Sequence, residues 1–293
     1  MEKAKVYFTS KIEGESLVRL YDKLGVNLPG KVAVKLHSGE DGNQNYLKPE
    51  FVKDIIEHVN GTVVECNTAY EGARNTTEKH IELMEKHRWS KYFDVDILDS
   101  DAEDVLTNEN GAVIKKNIVG AKMKNYDSML MLSHFKGHPM GGFGGSIKNL
   151  SIGLASSEGK SYIHTGGMEN ASFGELMNAD HDSFLKAMAD AAKTITDFYK
   201  DKIVYINAMV NMSVDCDCCN VAEDPCMEDI GILASLDPVA LDQACIDLVY
   251  NSTDPGRDHL VERIESKNGL LTIKSAEEQG IGTREYELIS IDE

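Results

Sequence analysis

No stretch of this sequence holds the roughly 18 consecutive apolar residues that a membrane-spanning helix requires, so none of it is read as crossing a bilayer. The opening residues, Met1 to Phe8, lack the apolar core and small-residue cleavage site of a secretory leader, and the expected location is cytoplasmic. Positive charge is also scarce: 30 Lys and Arg stand against 49 Asp and Glu, a formal net charge of -19. Such a surface repels phosphodiester backbones and anionic headgroups, so neither nucleic acid nor a membrane is the expected partner. Internal repeats and low-complexity linkers are missing too, which excludes solenoids and leaves no obvious domain boundary. In a cytoplasmic chain a disulfide framework is not expected, and the six cysteines read as reduced thiols. Four of them fall between Cys216 and Cys226, which turns the question to metal or redox chemistry.

What is present supports a folded enzyme-sized body. With 293 residues and 42% hydrophobic content the chain can bury a sizeable core, as one domain over 1–293 or as two α/β lobes divided near 165–200. Strand-like runs at 31–36, 62–65, 93–98, 128–133, 203–210 and 230–234 alternate with helical patterns at 49–59, 76–89 and 183–199. That rhythm predicts an α/β fold, a mostly parallel sheet flanked by helices. Asp237 followed by Pro238 marks a helix start, and the apolar sequence after it buries Asp242, for which a backbone amide is the expected partner. Cys66 and Cys245 read as core residues.

The densest chemistry follows the apolar run Met129 to Leu132: Ser133-His134-Phe135-Lys136-Gly137-His138, then Gly141, Gly142, Gly144, Gly145 and Lys148. Loops at strand ends are where α/β proteins place ligands. Glycines let backbone N–H groups approach a bound group, and Lys136 and Lys148 supply positive charge within a negative protein, so a small anionic molecule is the natural partner. His134, His138 and His164 add groups that move protons near neutral pH or ligate metal. Taken singly, either of the first two also reads as a hydrogen-bonded structural residue.

The second cluster is Cys216-Asp217-Cys218-Cys219 with Cys226 beyond it. Thiolates select zinc, copper(I) or iron–sulfur centres, but this spacing is neither a zinc ribbon nor a ferredoxin run. Adjacent cysteines point apart in extended chain, so two or three of the four reach one ion, with His164 or Asp217 completing a mixed site; a closed structural zinc and plain reduced thiols stay open beside this.

Read together, Val34 to Glu40 with Asn43 and Tyr46-Leu47, the Ser133 to Asn149 stretch, Cys216-Asp217-Cys218 and Asp229 to Ala240 resemble the bacterial and archaeal family known as domain of unknown function 362. Many relatives are labelled iron–sulfur proteins for an inserted ferredoxin module. Here Thr165 to Tyr199 contains no cysteine, so that cluster does not carry over. A more distant resemblance is to the N-terminal domain of nickel-pincer lactate racemases: Gly142-Phe143-Gly144-Gly145, Lys148, His138 before it and His164 after it fall at that family's separations. The resemblance implies His138 in proton transfer, Lys148 holding a cofactor and His164 on nickel. A second racemase histidine is replaced by Ala73, beside Arg74, whose planar fork suits a carboxylate as well as a surface ion pair.

The expected function is therefore a metal- or cofactor-dependent enzyme, an isomerase or a redox enzyme, acting on a small anionic substrate. Its metal is an iron–sulfur cluster, zinc or nickel. The alternative is a non-enzymatic iron–sulfur or metal-carrier protein that works through Cys216, Cys218, Cys219 and Cys226.

Overall fold

The computed structural model describes residues 3–171 and 173–292. Its elements run β1 (Ala4–Thr9), α1 (Gly14–Lys23), β2 (Val32–Lys35), α2 (Pro49–His58), β3 (Gly61–Glu65), α3 (Thr77–Lys86), α4 (Trp89–Tyr92), β4 (Val95–Ile97), β5 (Glu103–Thr107) and β6 (Lys116–Gly120). They continue with β7 (Ser128–His134), β8 (Lys136–His138), β9 (Gly142–Gly144), α5 (Ser146–Ser151), α6 (Ser157–His164), α7 (Phe173–Asn178) and α8 (His181–Tyr199). The last are β10 (Ile203–Met209), β11 (Gly231–Ser235), α9 (Pro238–Asn251), α10 (Arg257–Ser266), α11 (Leu270–Glu278) and β12 (Tyr286–Ser290).

Eight strands form one sheet in the order β12-β1-β11-β10-β7-β2-β3-β4. All its pairings are parallel except those of β11, which is antiparallel to both β1 and β10. A strand covered on both faces reads as a continuous apolar run, and the two central strands, β7 and β10, are buried at every residue. Period-two alternation then divides them: Met129, Met131 and Tyr205 pack into one core, Leu130, Leu132, Val204 and Ile206 into the other. The first core is closed by α5, α8, α9, α10 and α11; the second by α1 and α2 with Trp89 of α4.

The expected mostly parallel α/β sheet is what forms, and most differences are local. The helix expected over 76–89 ends at Lys86, because Arg88 takes a left-handed backbone (φ 70°) and α4 starts anew at Trp89. Helix α9 starts as its chemistry dictates, the Asp237 carboxylate accepting from the N–H groups of Val239 and Ala240. Asp242 accepts from the backbone N–H of Ser146 (2.8 Å) and Ile147 (2.9 Å), so α9 fixes the first turn of α5. Cys66 and Cys245 are buried.

Candidate functional site

Parallel strands deliver their C-terminal ends to one edge of the sheet, the usual ligand edge of an α/β fold. Here β2 ends on Lys35, β3 on Glu65 and β7 on His134. A cleft of about 930 Å³ opens over these ends, between the β8–β9 hairpin, α5, α6 and the 68–75 loop.

The floor of the cleft is an ionic network. Lys35 Nζ lies 2.8 Å from Glu65 Oε2, and Ser38 N–H donates to Glu65 Oε1 at 2.9 Å. Burial alone would raise the Glu65 carboxyl, but Lys35, His37, His80 and Arg74 together hold it well below the ordinary carboxylate range. Arg74 lines the cleft, yet its guanidinium is already engaged: Nε with Glu40 at 3.2 Å, a terminal nitrogen with Tyr70 Oη at 2.8 Å, and Glu65 at 3.8 Å. The residue weighed as a carboxylate clamp thus sits in a buried ion-pair network.

His134 and Lys136 meet on one acid. His134 Nδ1 lies 2.9 and 3.0 Å from the two Asp217 oxygens, and its Nε2 donates to the Val210 carbonyl at 2.6 Å. Lys136 Nζ lies 3.0 Å from Asp217 and donates to the His134 carbonyl at 3.1 Å. All three side chains are buried. Although burial works to raise it, the Asp217 carboxyl is held far below its usual range by His134 and Lys136.

The glycine-rich stretch and the cysteine cluster form one site. His138, Cys216 and Cys218 bring one ligand atom each to within 4.8 Å of one another, with Cys218 Sγ 3.9 Å from His138 Nε2. His138 Nδ1 accepts from the N–H groups of Met140 (3.2 Å) and Gly141 (2.8 Å), so the neutral ring carries its hydrogen on Nε2, facing the sulfur. Burial, reinforced by Lys148, pushes this ring down to about 4 and keeps it neutral. The Cys216 thiol is pushed up by its hydrogen bond to Cys218 and by burial. Cys219, which Cys218 hydrogen-bonds, is instead lowered. Cys218 is raised as well, so both sulfurs beside His138 rest as thiols, and a cation binding them would have to displace their protons. Cys226 stands apart, its sulfur donating to the Met212 carbonyl at 3.2 Å, and of the four cysteines it is Cys216 and Cys218 that come together with His138.

His164 occupies the α6 wall. Its ring stacks on Phe184 with centroids 4.6 Å apart, and Nδ1 donates to the Lys160 carbonyl at 2.6 Å, which leaves Nε2 as a bare lone pair. Burial pushes this ring, too, down to about 4. Four lysines line the cleft. Lys35 and Lys136 have carboxylate partners, whereas neither Lys148 nor Lys160 is in an ion pair among the described residues. Two of the expected glycines serve packing: a Cβ on Gly145 would meet the Asp242 carboxylate at 2.5 Å, and Gly142 (φ 79°) abuts Gly269 and Ile264. Gly141 and Gly144 lie against His138 and against the Lys136 and Lys148 side chains.

Sequence reasoning did not assign the residues that hold the cysteine turn. Asn43 Nδ2 donates to the carbonyls of Cys216 (3.3 Å) and Cys219 (2.9 Å), Glu40 N–H to that of Asp217 (2.8 Å), and Tyr70 Oη to that of Cys218 (3.2 Å). Every carbonyl from 216 to 219 therefore has a donor from the first quarter of the chain. The available signal was the polar 37–43 segment after β2, which also reads as an ordinary turn.

Among curated proteins none matches the sequence. Among solved structures, the lactate racemase apoprotein from Thermoanaerobacterium thermosaccharolyticum is 14% identical with a TM-score of 0.49, covering 86% of this chain and 58% of that one. A protein from Thermotoga maritima is 12% identical with a TM-score of 0.40, covering 87% of this chain and 58% of its own. The chain thus spans less than two thirds of the length of either. The model of one family, domain of unknown function (DUF362), matches residues 32–247, most of the sheet and all the walls of the cleft, and the chain belongs to that family.

Proposed function

We propose that the chain is a metal-dependent enzyme acting on a small anionic molecule bound in the cleft. The observation that carries this reading is the convergence of the Cys216 and Cys218 sulfurs with His138, where His138 and Cys218 line a cleft that also holds Lys148, which is in no ion pair among the described residues. In this reading Cys216 and Cys218 would hold a soft divalent ion as thiolates. The metal would polarise the bound anion. Lys148 anchors a carboxylate or phosphate oxygen by a charge-assisted hydrogen bond. His138, neutral with its hydrogen on Nε2, offers that N–H as a hydrogen-bond donor beside the same position. His164, on the α6 wall of the same cleft, presents a bare Nε2 and is a further candidate ligand.

The test begins with elemental analysis of protein purified without oxygen. Near-stoichiometric zinc, nickel or another soft metal is expected, lost in Cys216→Ser and Cys218→Ser and retained in Cys226→Ser. Calorimetry with a 2-hydroxy carboxylate and with inorganic phosphate should show Lys148→Ala weakening binding about tenfold or more, the order expected for one charge-assisted contact. A wild-type protein that takes up no metal under any of these conditions overturns the metal reading. Acid-labile sulfide dependent on Cys226 would favour the iron–sulfur alternative.

A further inference from the structure

Asp217 lies between the two cysteines of the candidate metal site, and its surroundings are unlike theirs. In a turn of this kind successive side chains leave in different directions, and while the sulfurs of Cys216 and Cys218 share space with His138, the carboxylate is taken by His134 and Lys136. It is not in the metal-ligating group, although its residue type suits it for ligation. Both of its partners come from one short stretch, the end of β7 and the start of β8, so the carboxylate ties the cysteine turn to the central sheet. The opposite side of the turn is tied by its backbone, through Glu40, Asn43 and Tyr70. A turn held from both sides leaves its sulfurs one arrangement.

We propose that Asp217 is the positioning residue of the metal site: gripped by His134 and Lys136, it sets the two cysteine sulfurs in place before an ion arrives and is not itself a ligand. The proposal rests on the metal reading above and assigns His134 and Lys136 to holding that site in shape. Groups behind the ligands of a metal typically change its affinity by 10- to 100-fold when removed, because without them the ion must organise its own ligands.

The experiment is a cobalt(II) titration of the reduced full-length protein under nitrogen, following thiolate-to-cobalt charge-transfer absorption and the visible d–d bands. Wild type should saturate at one cobalt per chain. Asp217→Asn should show the same near-ultraviolet circular dichroism, a midpoint roughly 10- to 100-fold higher and altered d–d intensities, since the sulfurs no longer meet the ion in one geometry. Asp217→Glu should recover part of the affinity, and Cys226→Ser should titrate as wild type. A folded Asp217→Asn variant that titrates as wild type overturns the proposal and leaves the metal reading standing. If wild type gives no thiolate–cobalt band, the metal reading itself falls and takes the proposal with it. Should Asp217→Asn fail to fold, Lys136→Met removes one of the two grips and keeps the other; a wild-type midpoint in that variant also overturns the proposal.

Discussion

Asp242 is wholly buried and has no cationic partner among the described residues; three donors stand in for one, the N–H groups of Ser146 and Ile147 and the Asn207 side-chain amide at 2.7 Å. Burial pushes its carboxyl up to about 6, and those three hydrogen bonds keep it from rising further. Replacing Asp242 by Ala strands two buried backbone N–H groups, each worth about 1–3 kcal/mol when left without an acceptor. We expect a loss of roughly 2–5 kcal/mol in urea unfolding, and a smaller loss for Asp242→Asn, whose oxygen still accepts. Because the first turn of α5 sets where Lys148 sits, the Ala variant should bind anions more weakly as well. A change below about 1 kcal/mol would show that water replaces the carboxylate.

Residues of this kind separate what the sequence discloses from what it withholds. Asp237 and Pro238 announce a helix start because capping is local chemistry, complete within four residues. Met129 to Leu132 announces a central strand because burial on both faces removes every polar position. The His138 to Cys218 contact has no such signature. It joins residues 80 apart, and depends on β10 pairing in parallel with β7 so that Ala208 lies beside His134 and the following loops meet. The orientation of Asp217 is withheld for the same reason: its residue type fits ligation and support equally, and only the neighbours brought by β7 and β8 decide between them. Short strands such as β8 and β9 escape periodicity altogether, since three residues do not make a pattern.

Among the elements, the β8–β9 hairpin does most to join the two halves of the site. It carries Lys136 and His138, turns through Gly141 and Gly142, and leads directly into α5 and Lys148. Its inner edge approaches the loop before the cysteines so closely that Gly137 N–H donates to the Ser213 carbonyl at 2.8 Å, and a Cβ on Gly137 would lie 2.4 Å from the Val214 carbonyl oxygen. Backbone cannot give way as a flexible side chain can. Gly137→Ala is therefore expected to push hairpin and cysteine loop apart, lowering thermal stability and metal affinity together. Gly141→Ala, whose added Cβ would come no nearer than 3.3 Å to any neighbour, should be milder in both. Equal effects of the two, read by cobalt titration and melting temperature, would mean that the hairpin does not set the position of the cysteine loop.

At the scale of the whole molecule, a chain of net charge -19 gathers Lys35, Arg74, Lys136, Lys148 and Lys160 around one cleft and keeps His138 and His164 uncharged there. Burial pushes both His138 and His164 down to about 4, from 6.5 in the unfolded chain. Between those values the unfolded chain takes up protons that the folded one refuses, so their contribution to stability is present above pH 6.5 and is lost as the pH falls toward 4. Asp242 opposes this: its carboxyl, at about 6 in the fold against 3.8 unfolded, favours the folded state as the pH falls through that interval. Asp237 is likewise raised by burial, but His37, His80 and His87 are lowered by burial together with His138 and His164, and Asp217 and Glu65, held low by their cations despite burial, add to the loss at the acid end. The urea midpoint should thus fall as the pH is lowered from about 7 to about 4.5. His164→Phe keeps an aromatic ring on Phe184 and removes one of these titrations, so its midpoint should fall less over the same interval. A drop unchanged in that variant would mean that His164 accepts its proton inside the folded cleft, and that the lone pair at Nε2 is already solvated rather than held ready for a ligand.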